Sequence, residues 1–312
     1  MTVREGLLHF VLLGILVLLF FVVSDYHDGN WARIMVLAVY AVGYNLLFGY
    51  TGLLSLGHAL FFATGMYGLA LPIQHLGFAP VPAFLSALVC AAVVSSAVGF
   101  LALRTSGVAF MIVTLMFAQA GFLLSLYAGR YTRGDEGFVI PQSARIIAGI
   151  DFSDPTIRYF AAFFVFAAAY LLIAWLIRTP FGKCLVAIRE NEDRARMLGY
   201  DVHFHKLVAV ILSGTVSGAA GAAYAFLFGY AGATFASVQY SILPLLWVLL
   251  GGAGTTIGPL IGTAFAFYLI DFSSDLTTAH LLVVGLAIVL LTLFAPLGLA
   301  GEVRKRIVGW LP

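Results

Sequence analysis

The strongest candidate for a functional ionisable side chain in this sequence is a histidine. His58 follows a glycine-rich break at residues 49–58 and precedes a long apolar stretch. Ionisable side chains inside apolar membrane segments are rare and usually functional. Two interpretations of His58 remain: a side chain that faces a solute pathway, or a first-turn histidine bonded to backbone near the membrane interface. The residues alone favour the second.

The sequence lacks the patterns that carry catalysis in known enzymes. It has no phosphate-binding loop ending in Gly-Lys-Ser/Thr, no paired-histidine metal motif and no Gly-x-Ser-x-Gly elbow. Cys90 and Cys184 show no metal or redox spacing. We therefore predict a protein that is not an enzyme and binds no metal or cofactor. Any ATP that drives it is hydrolysed by a partner.

The most densely charged stretch is residues 178–206, which hold six of the 16 Lys/Arg and four of the 14 Asp/Glu residues. Thr179 followed by Pro180 predicts a helix start, Asn191 predicts the start of a second helical turn, and Gly199 predicts its end. Apolar residues three apart form a narrow stripe on this segment. It is either a helical surface on which a partner docks or a solvated loop on lipid headgroups.

The composition of the chain indicates which kind of secondary structure holds His58 and the charged segment. The 312 residues are 62% hydrophobic and 10% charged, with a mean hydropathy of +1.05. Soluble domains have about 25% charged residues, and barrel strands alternate every second residue. We therefore predict an all-α polytopic membrane protein whose single transmembrane domain covers residues 1–312. The net charge of +2 gives no indication of nucleic-acid binding.

Apolar segments and turn residues predict about ten transmembrane helices, the first of them a retained N-terminal span. About twenty apolar residues are needed to cross a bilayer, so the eighth segment is short and the ninth marginal. The predicted spans are residues 7–23, 31–49, 52–71, 83–103, 107–127, 158–177, 207–229, 238–250, 257–271 and 279–295.

The distribution of Lys and Arg predicts the orientation. If residues 178–206 are cytoplasmic, Arg4, Arg104 and the basic tail at 304–306 are cytoplasmic too, which places eleven of the sixteen basic residues inside. Ten spans with both termini in the cytoplasm is the most consistent count. Nine spans plus a re-entrant segment is the alternative.

Two glycine-rich breaks, at residues 49–58 and 251–259, interrupt the apolar pattern. Broken helices at membrane depth are tolerated where they line a cavity, and in transporters they contact the solute. Ser55 is the predicted N-cap of the helix that begins in the first break. The alternative is that both breaks are tight cytoplasmic turns between antiparallel helices.

Small residues recur every fourth position in two segments, which predicts close helix packing. Gly214 and Gly218 form the first series, and Gly254, Gly258 and Gly262 form the second.

The long loop at residues 128–157 is predicted to face the periplasm. Its charged cluster at 132–137 belongs either to a plain connector or to a surface for an outside partner.

Five stretches resemble the permease subunits of branched-chain amino-acid ABC uptake systems. The resemblance covers most of residues 40–269, and the length and outer loop resemble the LivM-like branch of that family. The stretches read GYTGLLSLGHALFFATGMYG, RTSGVAFMIVTLMFAQ, TPFGKCLVAIRENEDRARMLGYDV, KLVAVILSGTVSGAAGAAYAFLFG and WVLLGGAGTTIGPLIGTAF.

The resemblance implies roles for two sets of residues. Residues 178–206 would form the cytoplasmic coupling loop that docks on an ATP-hydrolysing subunit, with its matching residues at Arg189, Glu190, Asn191, Asp193 and Gly199. The signature segment would line the solute pathway with Tyr50, Thr51, Gly52, Ser55, Gly57 and His58.

The resemblance also implies partners and a location. These are a second related permease, cytoplasmic ATP-binding subunits and a periplasmic or lipid-anchored amino-acid-binding protein, at the bacterial inner membrane. The chain departs from the family pattern at Thr132-Arg133-Gly134 and at Phe138, which leaves solute specificity open. The alternatives are a urea or short-amide ABC permease, and a stand-alone channel or secondary carrier.

Overall fold

The structure, a computed structural model, describes residues 3–276 and 279–306. It is almost entirely helical. The helices are α1 (Val3–Val22), α2 (Asp25–Asn45), α3 (His58–Leu76), α4 (Pro80–Ala102), α5 (Val108–Tyr127), α6 (Gly129–Thr132), α7 (Pro155–Leu176), α8 (Pro180–Glu190), α9 (Glu192–Met197), α10 (Val202–Phe228), α11 (Val238–Gly251), α12 (Gly258–Leu276), α13 (His280–Phe294) and α14 (Gly298–Arg306).

Each of the ten predicted apolar segments coincides with a helix of this set. Within the described residues, five helices are long and apolar enough by length and composition to cross a membrane: 26–50, α4, α5, α7 and α10. The eighth segment is short as predicted, because α11 has 14 residues and at about 1.5 Å per residue covers only about 21 Å. The third helix begins at His58 rather than at residue 52 and continues through Pro72 to Leu76.

The central element is α2, which continues into one π-helical turn at Leu46–Tyr50. Most of its side chains are buried, including Tyr40 and Tyr44, which are fully inaccessible. Helices α7, α10, α11 and α12 surround it. A helix that is apolar on all sides must be enclosed by protein or lipid, and here neighbouring helices enclose α2.

Glycines permit the closest helix contacts. On α10, Gly218 packs against the backbone of α3 near Gly65, and Gly214 packs against Ser95 of α4. Between α11 and α12, the backbones meet at Gly251, where Gly258 and Gly262 provide the space. A methyl group at Gly65 or Gly251 would overlap a main-chain carbonyl of the neighbouring helix.

The segment between α6 and α7 folds back onto the bundle. Its strand β1 (Phe138–Val139) pairs antiparallel with β4 (Tyr230–Ala231), and β2 (Ile146–Ile147) pairs with β3 (Ile150–Asp151). Phe138 and Ile140 are almost inaccessible. This segment therefore covers one end of the helices and is more than a free connector.

Candidate functional site

The charged segment forms two short helices, α8 and α9, whose ends follow local side-chain chemistry. The Thr179 hydroxyl accepts a hydrogen bond from the Gly182 N–H (3.3 Å), and the Asn191 side chain accepts one from the Arg194 N–H (2.9 Å). Gly199 has a φ of +88°, the left-handed conformation that ends helices. The three predicted boundaries are confirmed.

The apolar stripe of these helices faces the protein. Cys184 and Ile188 of α8 pack with Ala195 of α9 and with Val202, where α10 begins. Leu198 lies three residues after Ala195 but is 70% exposed, because α9 ends before it. The charged faces of α8 and α9 are exposed to solvent.

Arg189 connects α8 to both glycine-rich breaks. Its guanidinium donates a hydrogen bond to the Gly49 carbonyl in the π-helical turn. The same side chain lies against Gly52, and its Nη1 lies next to Gly254 of the second break. Gly52 and Gly254 have φ values of +76°, which glycine adopts without strain. A single side chain of α8 thus reaches the place where the two breaks meet.

Asn45, the last residue of α2, joins that helix to the second break. Its Nδ2 donates to the Thr255 carbonyl and its Oδ1 accepts from the Gly254 N–H, each at 2.9 Å. Asn45 is 2% exposed. Buried backbone groups outside regular structure need such partners, so this amide stabilises the irregular segment. A side chain at Gly49 would collide with it.

His58 is the first residue of α3 and is fully inaccessible. Its Nε2 lies 2.8 Å from the hydroxyl of Ser213 on α10, and that hydroxyl donates to the Gly43 carbonyl at 2.6 Å. Because the single hydroxyl hydrogen is directed at Gly43, Nε2 must carry the proton and donate. His58 is therefore bonded to a side chain rather than to backbone. Its Nδ1 has no hydrogen-bond partner within the described part of the chain.

The start of α3 differs from the prediction at Ser55. The N-cap position is Gly57, and the Ser55 hydroxyl instead accepts from the Gly57 N–H at 3.2 Å. One free N–H of the first turn, that of Ala59, donates to Ser241 on α11 at 3.0 Å. A hydrogen-bond partner on another helix cannot be identified from the local sequence. The prediction of Ser55 as the N-cap was therefore wrong.

The structure divides the predicted pathway residues into two groups. Thr51 and Gly52 line a polar cavity of about 400 Å³ together with the α4–α5 loop, α8 and Lys206. Tyr50, Ser55 and His58 are buried in helix packing, and Gly57 packs against the backbone of Thr114.

The predicted coupling residues are also divided. Arg189, Glu190 and Asn191 line the same polar cavity as Thr51 and Gly52. Asp193 and Gly199 lie apart from it. The Asp193 side chain is 87% exposed, with Arg196 at 3.4 Å, and open space surrounds Gly199.

The interhelical hydrogen bonds of Asn45 and Ser213 were not predicted. Both are polar residues within long apolar segments, and such residues are a recognised signal of interhelical hydrogen bonds. Applied to α2 and α10, that signal would have found both.

Comparison with known proteins agrees with this arrangement. The profile of the family described as branched-chain amino acid transport system / permease component matches residues 30–295. The chain is similar to the high-affinity branched-chain amino acid transport system permease protein LivM of Salmonella typhimurium. The identity is 28% over an alignment of 334 residues, which covers 98% of this chain and 77% of the relative. LivM of Escherichia coli K12 gives the same values.

A shorter similarity extends to permeases with a different named solute. The autoinducer 2 import system permease protein LsrC of Photorhabdus laumondii is 30% identical over 118 residues, 36% of this chain and 34% of the relative. The family profile spans more than half of the chain, and the LivM alignments span almost all of it. The chain therefore belongs to the family of permease components of branched-chain amino acid transport systems, and it is a membrane transport subunit of the ABC importer type rather than an enzyme.

Proposed function

We propose that this chain carries branched-chain amino acids across the bacterial inner membrane as one permease of an ATP-driven importer. Its partners are a second related permease, cytoplasmic ATP-binding subunits and an external amino-acid-binding protein. The observation that supports this proposal most is the contact of Arg189 with the Gly49 carbonyl, because it links the exposed helix pair to the broken helices.

In the proposed mechanism, α8 and α9 dock on the ATP-binding subunits. Closure of those subunits moves α8 as a rigid body, and Arg189 carries the displacement to the first break. Asn45 carries it onward to the second break, since its side chain bonds to both Gly254 and Thr255. The two breaks then move together, and access alternates between the two sides of the membrane.

We propose ten spans with both termini in the cytoplasm. The polar cavity supports this orientation, because Arg104 and Lys206 lie around it together with α8. Arg33 lies toward the opposite end of α2 from Gly49. Arg104 and Lys206 thus lie at one end of the bundle and Arg33 lies toward the other. This separation is consistent with the positive-inside rule if the end with the cavity faces the cytoplasm.

The test is purification of the tagged chain from its native membrane in mild detergent, followed by reconstitution of what copurifies into vesicles. We expect ATP-binding subunits and a second permease in stable ratio, with leucine, isoleucine or valine uptake that requires ATP and the binding protein. Uptake that persists without ATP and collapses with the ion gradient would identify a secondary carrier. Competition by urea or short amides, but not by leucine, would reassign the solute.

A further inference from the structure

Three arginines from separate parts of the chain converge at the end of the bundle opposite α8. The guanidinium carbons of Arg33 on α2 and Arg158 on α7 lie 5.5 and 5.7 Å from the centroid of the Phe228 ring. Arg145, from the segment that covers this end, packs its guanidinium against Gly229, the next residue. Three positive charges therefore share the C-terminal end of α10.

In the described part of the chain none of the three arginines forms an ion pair within 4 Å, and the carboxylates of Asp154 and Asp151 attract Arg158 and Arg145 from a greater distance. The nearby carboxylate of Asp154 caps α7 by accepting from two backbone N–H groups. Asp151 accepts from a glutamine side chain and from a backbone N–H. The Nε atoms of Arg145 and Arg158 are buried without an acceptor.

Structural roles account for only part of this cluster. A guanidinium at a helix C-terminus interacts favourably with the helix dipole, which amounts to about half an elementary charge, and the ring face adds a modest cation–π attraction. Neither supplies a hydrogen-bonded anion for the three guanidinium groups. Arg33 is exposed, and Arg145 and Arg158 are partly exposed, so an anion from solution can reach their remaining N–H groups. The planar guanidinium fork matches a carboxylate best.

We propose that Arg33, Arg145 and Arg158 form a binding site for the carboxylate group of a small solute at the outer face of the permease. The site lies at the external end of α10 and beside α2, the central helix. The identification of the solute as an amino acid rests on the proposed function. The binding of a carboxylate at the three arginines is independent of that function.

The test measures thermal unfolding of the purified full chain in detergent with increasing sodium propionate. Equal concentrations of sodium chloride and of propionamide, the uncharged analogue, serve as ligand controls. We expect propionate to raise the unfolding temperature more than either control. Arg158→Gln should weaken the apparent affinity about tenfold or more, since one charge-assisted hydrogen bond is lost. Arg33→Gln tests the same site at an exposed position, in case Arg158→Gln does not fold.

Arg130→Gln is the matched control, because it removes an exposed positive charge of the outer segment outside the cluster. It should respond to propionate as the unaltered chain does. The proposal fails if propionate and chloride act equally, or if both cluster variants keep the full response. It also fails if the variants change only the concentration of binding protein needed for uptake, because the arginines would then form a protein-docking surface.

The two proposals fail separately. If propionate binds but the reconstituted complex imports no amino acid, the carboxylate site stands and the proposed function is wrong. If the complex imports leucine but propionate has no specific effect, the site is wrong and the proposed function stands.

Discussion

The guanidinium of Arg189 donates a hydrogen bond to the carbonyl oxygen of Gly49, which lies 140 positions earlier in the sequence. Gly49 belongs to a π-helical turn, where the regular bonding pattern of α2 is interrupted and carbonyl groups become available. An exposed amphipathic helix is thereby attached to the irregular backbone inside the bundle. We expect a displacement of α8 to move the first break as well.

We expect Arg189→Gln to separate ATP hydrolysis from uptake. Glutamine is too short to reach Gly49 and lacks the charge, so the link is lost while the proposed docking face of α8 is unchanged. Uptake should fall about tenfold or more, since bonds to charged groups contribute about 1.5–3 kcal/mol, and ATP hydrolysis by the complex should persist. Both rates are measured in the same vesicles.

Lys183→Gln is the control for this variant, because Lys183 is an exposed cation on the same helix. It should leave uptake within about twofold of the original. If both variants lose uptake equally, the effect comes from the charge of α8 and the contact with Gly49 carries no coupling.

Asn45→Ala should destabilise the protein by removing the bridge between α2 and the second break. It leaves the Gly254 N–H and the Thr255 carbonyl without their partner, and each unsatisfied buried group costs about 1–3 kcal/mol. The measurement is the unfolding temperature of the purified chain. Asn30→Ala in the same helix is the control, since the Nδ2 of that buried asparagine has no hydrogen-bond partner among the described residues. An equal loss in both variants would contradict the bridging role.

Gly65→Ala should weaken the contact between α3 and α10, because the added methyl group would overlap the Gly218 carbonyl. Overpacking of this kind costs about 1–3 kcal/mol, and rigid backbone on both sides leaves little room for relaxation. Gly14→Ala is the control: no atom of the described residues lies within 4 Å of the added carbon, and alanine is the better helix former. A lower unfolding temperature is expected only for Gly65→Ala.

Local chemistry explains which parts of the structure were predictable. The ends of α8 and α9 depend on Thr179, Asn191 and Gly199, whose side chains or backbone act within three or four residues. The apolar segments were predictable for the same reason, since the composition of each segment by itself shows that it avoids water.

Contacts between distant residues were not predictable. The start of α3 depends on Ser241, and His58 depends on Ser213. Arg189 is one of several cations in its segment, and nothing in the local sequence indicates which of them turns inward toward Gly49. The sequence placed Thr51 and Glu190 in different roles, whereas the fold brings them to one cavity.

The proposed docking surface on α8 and α9 gives the last prediction. Glu190 is exposed at the end of α8, and Gly199 is exposed after α9 with open space around it. Glu190→Lys reverses a charge, and Gly199→Trp adds bulk at a left-handed position, which costs about 1–2 kcal/mol. Neither change touches the Arg189 contact with Gly49. We therefore expect both variants to insert and to bind the second permease, but to copurify with less ATP-binding subunit and to lose ATP-dependent uptake. Normal recovery of those subunits with normal uptake would show that the partner docks elsewhere.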